Sequence, residues 1–149
     1  MVANLIKALL SFVPFFAVFI YFKVPYLPLV IYAFFLFTLE LSRGLIKDVV
    51  GLKGDVVFGY PTVPARSGNP GLRRHLLVIN ILSWLMVAWY TFSVGQSQAT
   101  LLFFGSMLLL QLFTAWKLPL WVDRRIAVRS LHLVYKLALV VGVGLLIRI

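Results

Sequence analysis

The chain has 149 residues, of which 62% are hydrophobic and 12% are charged, and its mean hydropathy is +1.03. Soluble domains are about 45–50% apolar and about 25% charged, so the composition excludes an ordinary soluble domain and indicates an integral membrane protein. The lack of cysteine excludes thiolate chemistry, and the net charge of +10 is explained by basic loops that orient the chain, so no nucleic-acid partner is expected.

Five apolar segments follow one another along the chain, each close to the about 20 residues that a helix needs to cross a membrane. We therefore predict an all-α, polytopic membrane protein that forms a single transmembrane domain over residues 1–149. The predicted spans are residues 3–22, 26–46, 76–94, 99–116 and 126–147.

The connections between these spans differ in length and charge. Residues 23–25 and 95–98 form short connections, whereas 47–75 is predicted as a long loop. Most basic residues lie in 47–75 and in the fourth connection, 117–130. Because Lys and Arg concentrate on cytoplasmic loops, we predict an N-in, C-out protein of a bacterial or organellar inner membrane, with the 47–75 loop on the cytoplasmic side.

Acidic, basic and turn-forming residues are most concentrated in residues 43–64. Asp48 and Asp55 are two of the four acidic residues. If the second helix continues past the membrane surface, their seven-residue spacing places both on nearly the same face, about two turns apart.

Arg43, on the same segment, has two interpretations. Glu40 lies three residues before Arg43, and the two can pair to lower the cost of charge in the membrane. Alternatively, Arg43 and Lys47 bind an anionic ligand at the membrane surface, since charges within a membrane are by default functional candidates.

The pattern RxxIKDxxxxKGDxxxGYxTxP resembles the second aspartate-rich motif of the UbiA-type intramembrane prenyltransferases. One predicted span precedes the span that leads into the motif and three follow it, so the five spans resemble helices five to nine of that fold. The matching positions are Arg43, Lys47, Asp48, Gly54, Asp55, Gly59, Tyr60, Thr62 and Pro64.

The resemblance implies a transferase that moves a polyprenyl group from its diphosphate to an aromatic or lipid acceptor. In that family acidic residues hold Mg²⁺, which prefers oxygen ligands and neutralises the diphosphate. Asp48 and Asp55 would bind the metal, and an apolar groove between helices would take the isoprenoid chain. Arg43, Lys47 and Lys53 would contact the diphosphate, and Gly54, Gly59, Tyr60, Thr62 and Pro64 would support the motif.

Three features differ from the family's pattern. The Asn-Asp pair of the family's first motif is absent from the sequence, and Gly51 stands at the middle acidic position of the second motif. The family's first four helices also have no counterpart here. We therefore expect a half-enzyme, inactive alone, that lies among membrane lipids and needs a partner membrane subunit to supply the first motif. The alternative is a non-catalytic accessory subunit of a larger membrane complex, derived from such an enzyme.

Three smaller features each leave two interpretations. His75 and His132 would bind haem only if they lay at similar depth on facing helices, and a lone membrane histidine is more often a packing residue. The basic stretch 123–129 suits either anionic lipid headgroups or orientation of the chain. Gly142 and Gly144 either allow close helix packing or are simply tolerated in a membrane helix.

Overall fold

Every regular element that the structure describes is helical. The structure is a computed structural model, and no strand occurs among the residues it describes, so the predicted all-α class is confirmed. The described residues are 5, 6, 8–10, 13, 17, 20, 21, 27–93 and 98–146. The long helices are α1 (Leu27–Val57), α2 (Val63–Ser93), α3 (Gln98–Lys117) and α4 (Arg125–Leu146), with a 3-10 turn at Leu118–Leu120.

Three stretches of the described residues are long and apolar enough to cross a membrane, which is consistent with a membrane protein. They are Val63–Phe92, Thr100–Leu120 and Arg125–Gly144. The predicted span 26–46 overlaps the first part of α1, and most of the predicted span 3–22 lies outside the described residues.

The segment 47–75 is mostly helical, which differs from the long loop predicted for it. α1 continues to Val57 and α2 begins at Val63, so only five residues, 58–62, lie between the two helices. The helix continues because its apolar residues keep helical spacing beyond the predicted membrane boundary. Ile46 and Val49, three residues apart, are both buried on the core face of α1.

α2 bends near its beginning. Gly68 has a φ of 60° and a ψ of −162°, a conformation that only glycine adopts readily. Pro70 follows two residues later, where its fixed φ and missing N–H suit the first turn of a new helical run. The bend therefore divides α2 into a short part, 63–67, and a long part that continues to Ser93.

α1 lies at the centre of the fold and packs against both α2 and α4. Ser83 of α2 donates a hydrogen bond of 2.6 Å to the hydroxyl of Thr38, and both side chains are buried. On the α4 side, the hydroxyl of Tyr32 donates to the carbonyl of Gly142 at 3.0 Å. These bonds fix the position of each neighbouring helix along the axis of α1.

Gly142 allows α4 to lie close against α1 and α3. A Cβ at this position would stand 2.6 Å from Cδ2 of Leu36 and 2.9 Å from Cζ of Phe103, closer than van der Waals contact permits. A Cβ at Gly144 would have no neighbour within 4 Å among the described residues. Close packing is therefore the role of the first glycine and not of the second.

Candidate functional site

Asp48 and Asp55 share one face of α1. Because α1 is helical to Val57, their Cα atoms stand about 10 Å apart along the helix axis and differ by about 20° in direction. Both side chains are half-buried. The carboxylate of Asp55 lies over Gly51, where an added Cβ would be 3.6 Å from Oδ2. The helix does continue beyond residue 46, so the condition on which the shared face depended is met.

These two carboxylates do not make a metal site by themselves. Among the described residues, no group of three or more His, Asp or Glu side chains lies close enough together to hold a metal ion. Mg²⁺ requires an octahedral set of oxygen ligands and usually keeps several waters. Position 51 is one turn from both Asp48 and Asp55, and a glycine there supplies no third ligand. A Mg²⁺ ion held by these carboxylates would need its remaining ligands from water, from a substrate or from another chain.

An apolar cavity of about 550 Å³ lies between α1 and α2. Leu41 forms part of its wall and precedes Asp48 by seven residues, the same spacing that separates Asp48 from Asp55. The cavity and the acidic pair therefore lie on the same face of α1. The apolar walls are formed by Phe37, Leu41 and Leu45 of α1, by Val78, Ile79 and Leu82 of α2, and by Leu5 from the N-terminal part of the chain.

The basic end of this cavity lies near the acidic pair. The bond between Thr38 and Ser83 sets the two antiparallel helices in register. Asp48 lies ten residues after Thr38 on α1, and residue 73 lies ten residues before Ser83 on α2. The two positions are therefore at about the same level. Arg74 and His75, the two lining residues with ionisable side chains, therefore stand at the end of the cavity nearest Asp48.

The ring of His75 is oriented by its own helix. Its Nδ1 lies 2.7 Å from the carbonyl oxygen of Gly71. A carbonyl oxygen only accepts hydrogen bonds, so Nδ1 carries the proton and donates. Nε2 is then the ring atom that is left to meet a ligand in the cavity.

The basic residues predicted to contact a diphosphate lie away from the acidic face. Nε of Arg43 donates to Oε2 of Glu40 at 2.7 Å, and Nη2 of Arg43 donates to Oε1 of Glu40, so the pairing interpretation holds. Lys47 is exposed and points about 100° around the helix from Asp48. Lys53 is exposed about 140° away from Asp48.

A second, charged stripe on α1 faces α4. The electrostatic neighbours of His132 are Glu40, Arg43 and Lys47 on α1 and Lys136 on α4. This stripe lies about 100–160° around α1 from Leu41 in the cavity wall, so the two histidines of the chain lie against different faces of α1. The arrangement does not bring them together on facing helices, which a haem bound by two histidines would require.

The predicted supporting residues lie at the junction of α1 and α2. Gly54 is in the last turns of α1, and Gly59 has a φ of 70°. The amide of Tyr60 donates to the carbonyl five residues earlier at 2.8 Å, and the carbonyl of Thr62 accepts the amide four residues later at 2.9 Å. Pro64 is buried in the first turn of α2, where its missing N–H costs nothing. These contacts hold the five-residue turn next to Asp55.

Arg74 was missed as a ligand-binding candidate, and His75 was considered only for haem, because 47–75 was interpreted as a loop. A signal for them was present in the sequence. The Arg-Arg-His run at 73–75 follows the turn by about as many residues as Asp48 precedes it. In a hairpin of two antiparallel helices, that symmetry places the run beside Asp48.

Comparisons with models of known protein families, with curated proteins and with solved structures gave no match to this chain. The function is therefore argued from the geometry of the cavity and the acidic face, together with the resemblance of the motif.

Proposed function

We propose that this chain is a prenyltransferase-like membrane subunit that binds a polyprenyl diphosphate. The observation that carries the proposal is the apolar cavity of about 550 Å³ on the face of α1 that bears Asp48 and Asp55, with Arg74 at the same end. Small-molecule sites are typically about 300–1,000 Å³ and mostly apolar, with a few polar groups that fix orientation. An isoprenoid diphosphate has the same division into a long apolar chain and one charged end.

The charges of the site fit a diphosphate only if a cation is also present. Carboxylates repel a diphosphate, so Asp48 and Asp55 favour its binding when they hold a cation between themselves and the phosphates. When bound there, Mg²⁺ would neutralise the diphosphate and ease its departure. The guanidinium of Arg74 is placed to contact phosphate oxygens directly, as arginine does with its fixed fork of donors.

A partner membrane subunit completes the proposed site. The chain has no Asn-Asp pair, and its described residues supply only part of a metal site. We infer that the partner provides the missing metal ligands and the surface that binds the aromatic or lipid acceptor. We infer further that the chain crosses an inner membrane five times, with its N-terminus and the turn between α1 and α2 in the cytoplasm.

The second candidate is a non-catalytic accessory subunit derived from such an enzyme. It is favoured by the incomplete set of metal ligands and by Arg43, which Glu40 already engages. In that case a bilayer lipid or a partner side chain fills the cavity, and the two aspartates have no role in ligand binding.

The test is retention of geranylgeranyl diphosphate by the full chain, purified in mild detergent together with any membrane subunit that accompanies it. We expect retention to depend on Mg²⁺ and to fall by at least about tenfold in Asp48→Asn and in Asp55→Asn, since metal affinity is sensitive to lost ligands. Asp123→Asn is the matched control, because it makes the same change at an exposed position in the turn before α4.

Two results would decide against binding. If Asp48→Asn and Asp55→Asn retain as much ligand as Asp123→Asn, the acidic pair has no part in the site. If retention is the same with Mg²⁺ and with EDTA, the metal has none, and the accessory subunit becomes the better account.

A further inference from the structure

We infer that a second groove, on the outer side of α2, binds an anionic phospholipid of the bilayer. The groove has a volume of about 530 Å³ and lies between α2 and the 3-10 turn that follows α3. The lipid phosphate lies at Arg73, and one acyl chain follows α2 toward the centre of the membrane. This groove shares Arg74 and Val78 with the proposed isoprenoid cavity, and its other lining residues are different.

The wall on α2 is charged at one end and apolar along the rest. Arg73, Leu77 and Ile81 line the groove at intervals of four residues, so they form a single stripe on the helix. Leu77 is 39% exposed and Ile81 is 59% exposed, although both are large apolar side chains. Leu120, on the opposite wall, is 68% exposed. An acyl chain in the groove would cover all three.

The polar end of the groove is positively charged. Arg73 and Arg74 are exposed there beside Asn69, whose amide adds a further hydrogen-bond donor. Among the described residues, no acidic side chain lines the groove, and the salt bridge found among them joins Arg43 to Glu40. Arg73 lines this groove and not the isoprenoid cavity, so its guanidinium is the group that attracts an anionic headgroup and forms bidentate bonds with phosphate.

The two sites can be tested independently because their linings differ. Arg73, Leu77 and Ile81 line the outer groove alone, whereas Leu41 lines the isoprenoid cavity alone. Arg74 and Val78 line both. A change at Arg73 therefore tests the lipid site without altering the cavity that we assign to the isoprenoid chain.

The test uses the full chain, with any accompanying subunit, in detergent micelles that contain equal amounts of phosphatidylglycerol and phosphatidylcholine. Native mass spectrometry measures how much of each lipid remains bound. We expect phosphatidylglycerol to be retained in preference, and Arg73→Gln to lower its retention by about fivefold, the effect of removing one cation at a membrane surface. Arg66→Gln removes an exposed arginine near the beginning of α2 that does not line the groove, and it should leave retention unchanged.

A second variant tests the apolar part of the groove without changing charge. Leu77→Trp fills the space beside the stripe and should displace phosphatidylglycerol, while circular dichroism confirms that the helices are intact. Three outcomes would overturn the proposal: equal retention of both lipids, equal losses in Arg73→Gln and Arg66→Gln, or displacement of the lipid by glycerol 3-phosphate at matched ionic strength. The last would indicate a site for a free phosphate.

Discussion

Glu40 and Arg43 form a bidentate ion pair on α1, with side chains that are 12% and 29% exposed. A charged hydrogen bond of this kind lowers the cost of carrying both residues in a helix that passes through an apolar environment. The sequence left open whether Arg43 binds Glu40 or a ligand. The structure was needed to distinguish the two interpretations, because both require the same residues at the same spacing.

The ion pair predicts that two variants differ in stability. Glu40→Gln should lower stability more than the double variant Glu40→Gln, Arg43→Gln, because the single change leaves a half-buried guanidinium without its partner. Thermal unfolding of the full chain in detergent measures both. Strictly additive losses would show that the two side chains do not interact.

Gly142 lies where the packing of the helices leaves no room for a side chain. Gly142→Ala should lower the free energy of unfolding by about 1–3 kcal/mol, the usual cost of overpacking, because the new Cβ meets Leu36 and Phe103. Gly144→Ala is the control, since its Cβ would meet no described atom within 4 Å. Equal stability of the two variants would contradict the close approach of α4.

At the scale of the elements, apolar periodicity predicted α3 and α4 to within a few residues. The predicted spans 99–116 and 126–147 correspond to Gln98–Lys117 and Arg125–Leu146. α1 and the beginning of α2 extend well beyond their predicted spans. Hydropathy locates the part of a helix that lies in the membrane, and it gives no signal where a helix continues outside it.

The bend in α2 rests on the positive φ of Gly68. Gly68→Ala should therefore cost about 1–2 kcal/mol, because a side chain disfavours this conformation. Gly105→Ala, in the helical interior of α3 with no described atom within 4 Å of its Cβ, should cost nothing. Thermal unfolding compares the two, and equal effects would mean that the bend does not depend on the glycine.

The pairing of helix faces could not be predicted from the sequence. Asp48 and Asp55 were identified from their spacing, whereas Arg74 and His75 join the site only because α1 and α2 form an antiparallel pair in one register. That register depends on the bond between Thr38 and Ser83, two small hydroxyl side chains that carry no distinctive pattern.

At the scale of the whole molecule, the distribution of Lys and Arg predicts the side of the membrane on which each connection lies. The chain has no cysteine, so one introduced cysteine is a unique label. We expect Lys53→Cys to react with a membrane-impermeant maleimide from the cytoplasmic side and Ser97→Cys to react from the opposite side. Labelling of both from the same side would contradict the five-span arrangement.

We propose that the cavity between α1 and α2 holds an isoprenoid chain whose diphosphate lies near Asp48. A polyprenyl diphosphate with a benzophenone at its tail, photoactivated on the full chain with Mg²⁺ present, tests this most directly. We predict cross-links in peptides that contain Leu41 or Leu82, and their loss with excess geranylgeranyl diphosphate or in Asp48→Asn. Cross-links confined to α3 or α4, or insensitive to the competitor, would contradict the account.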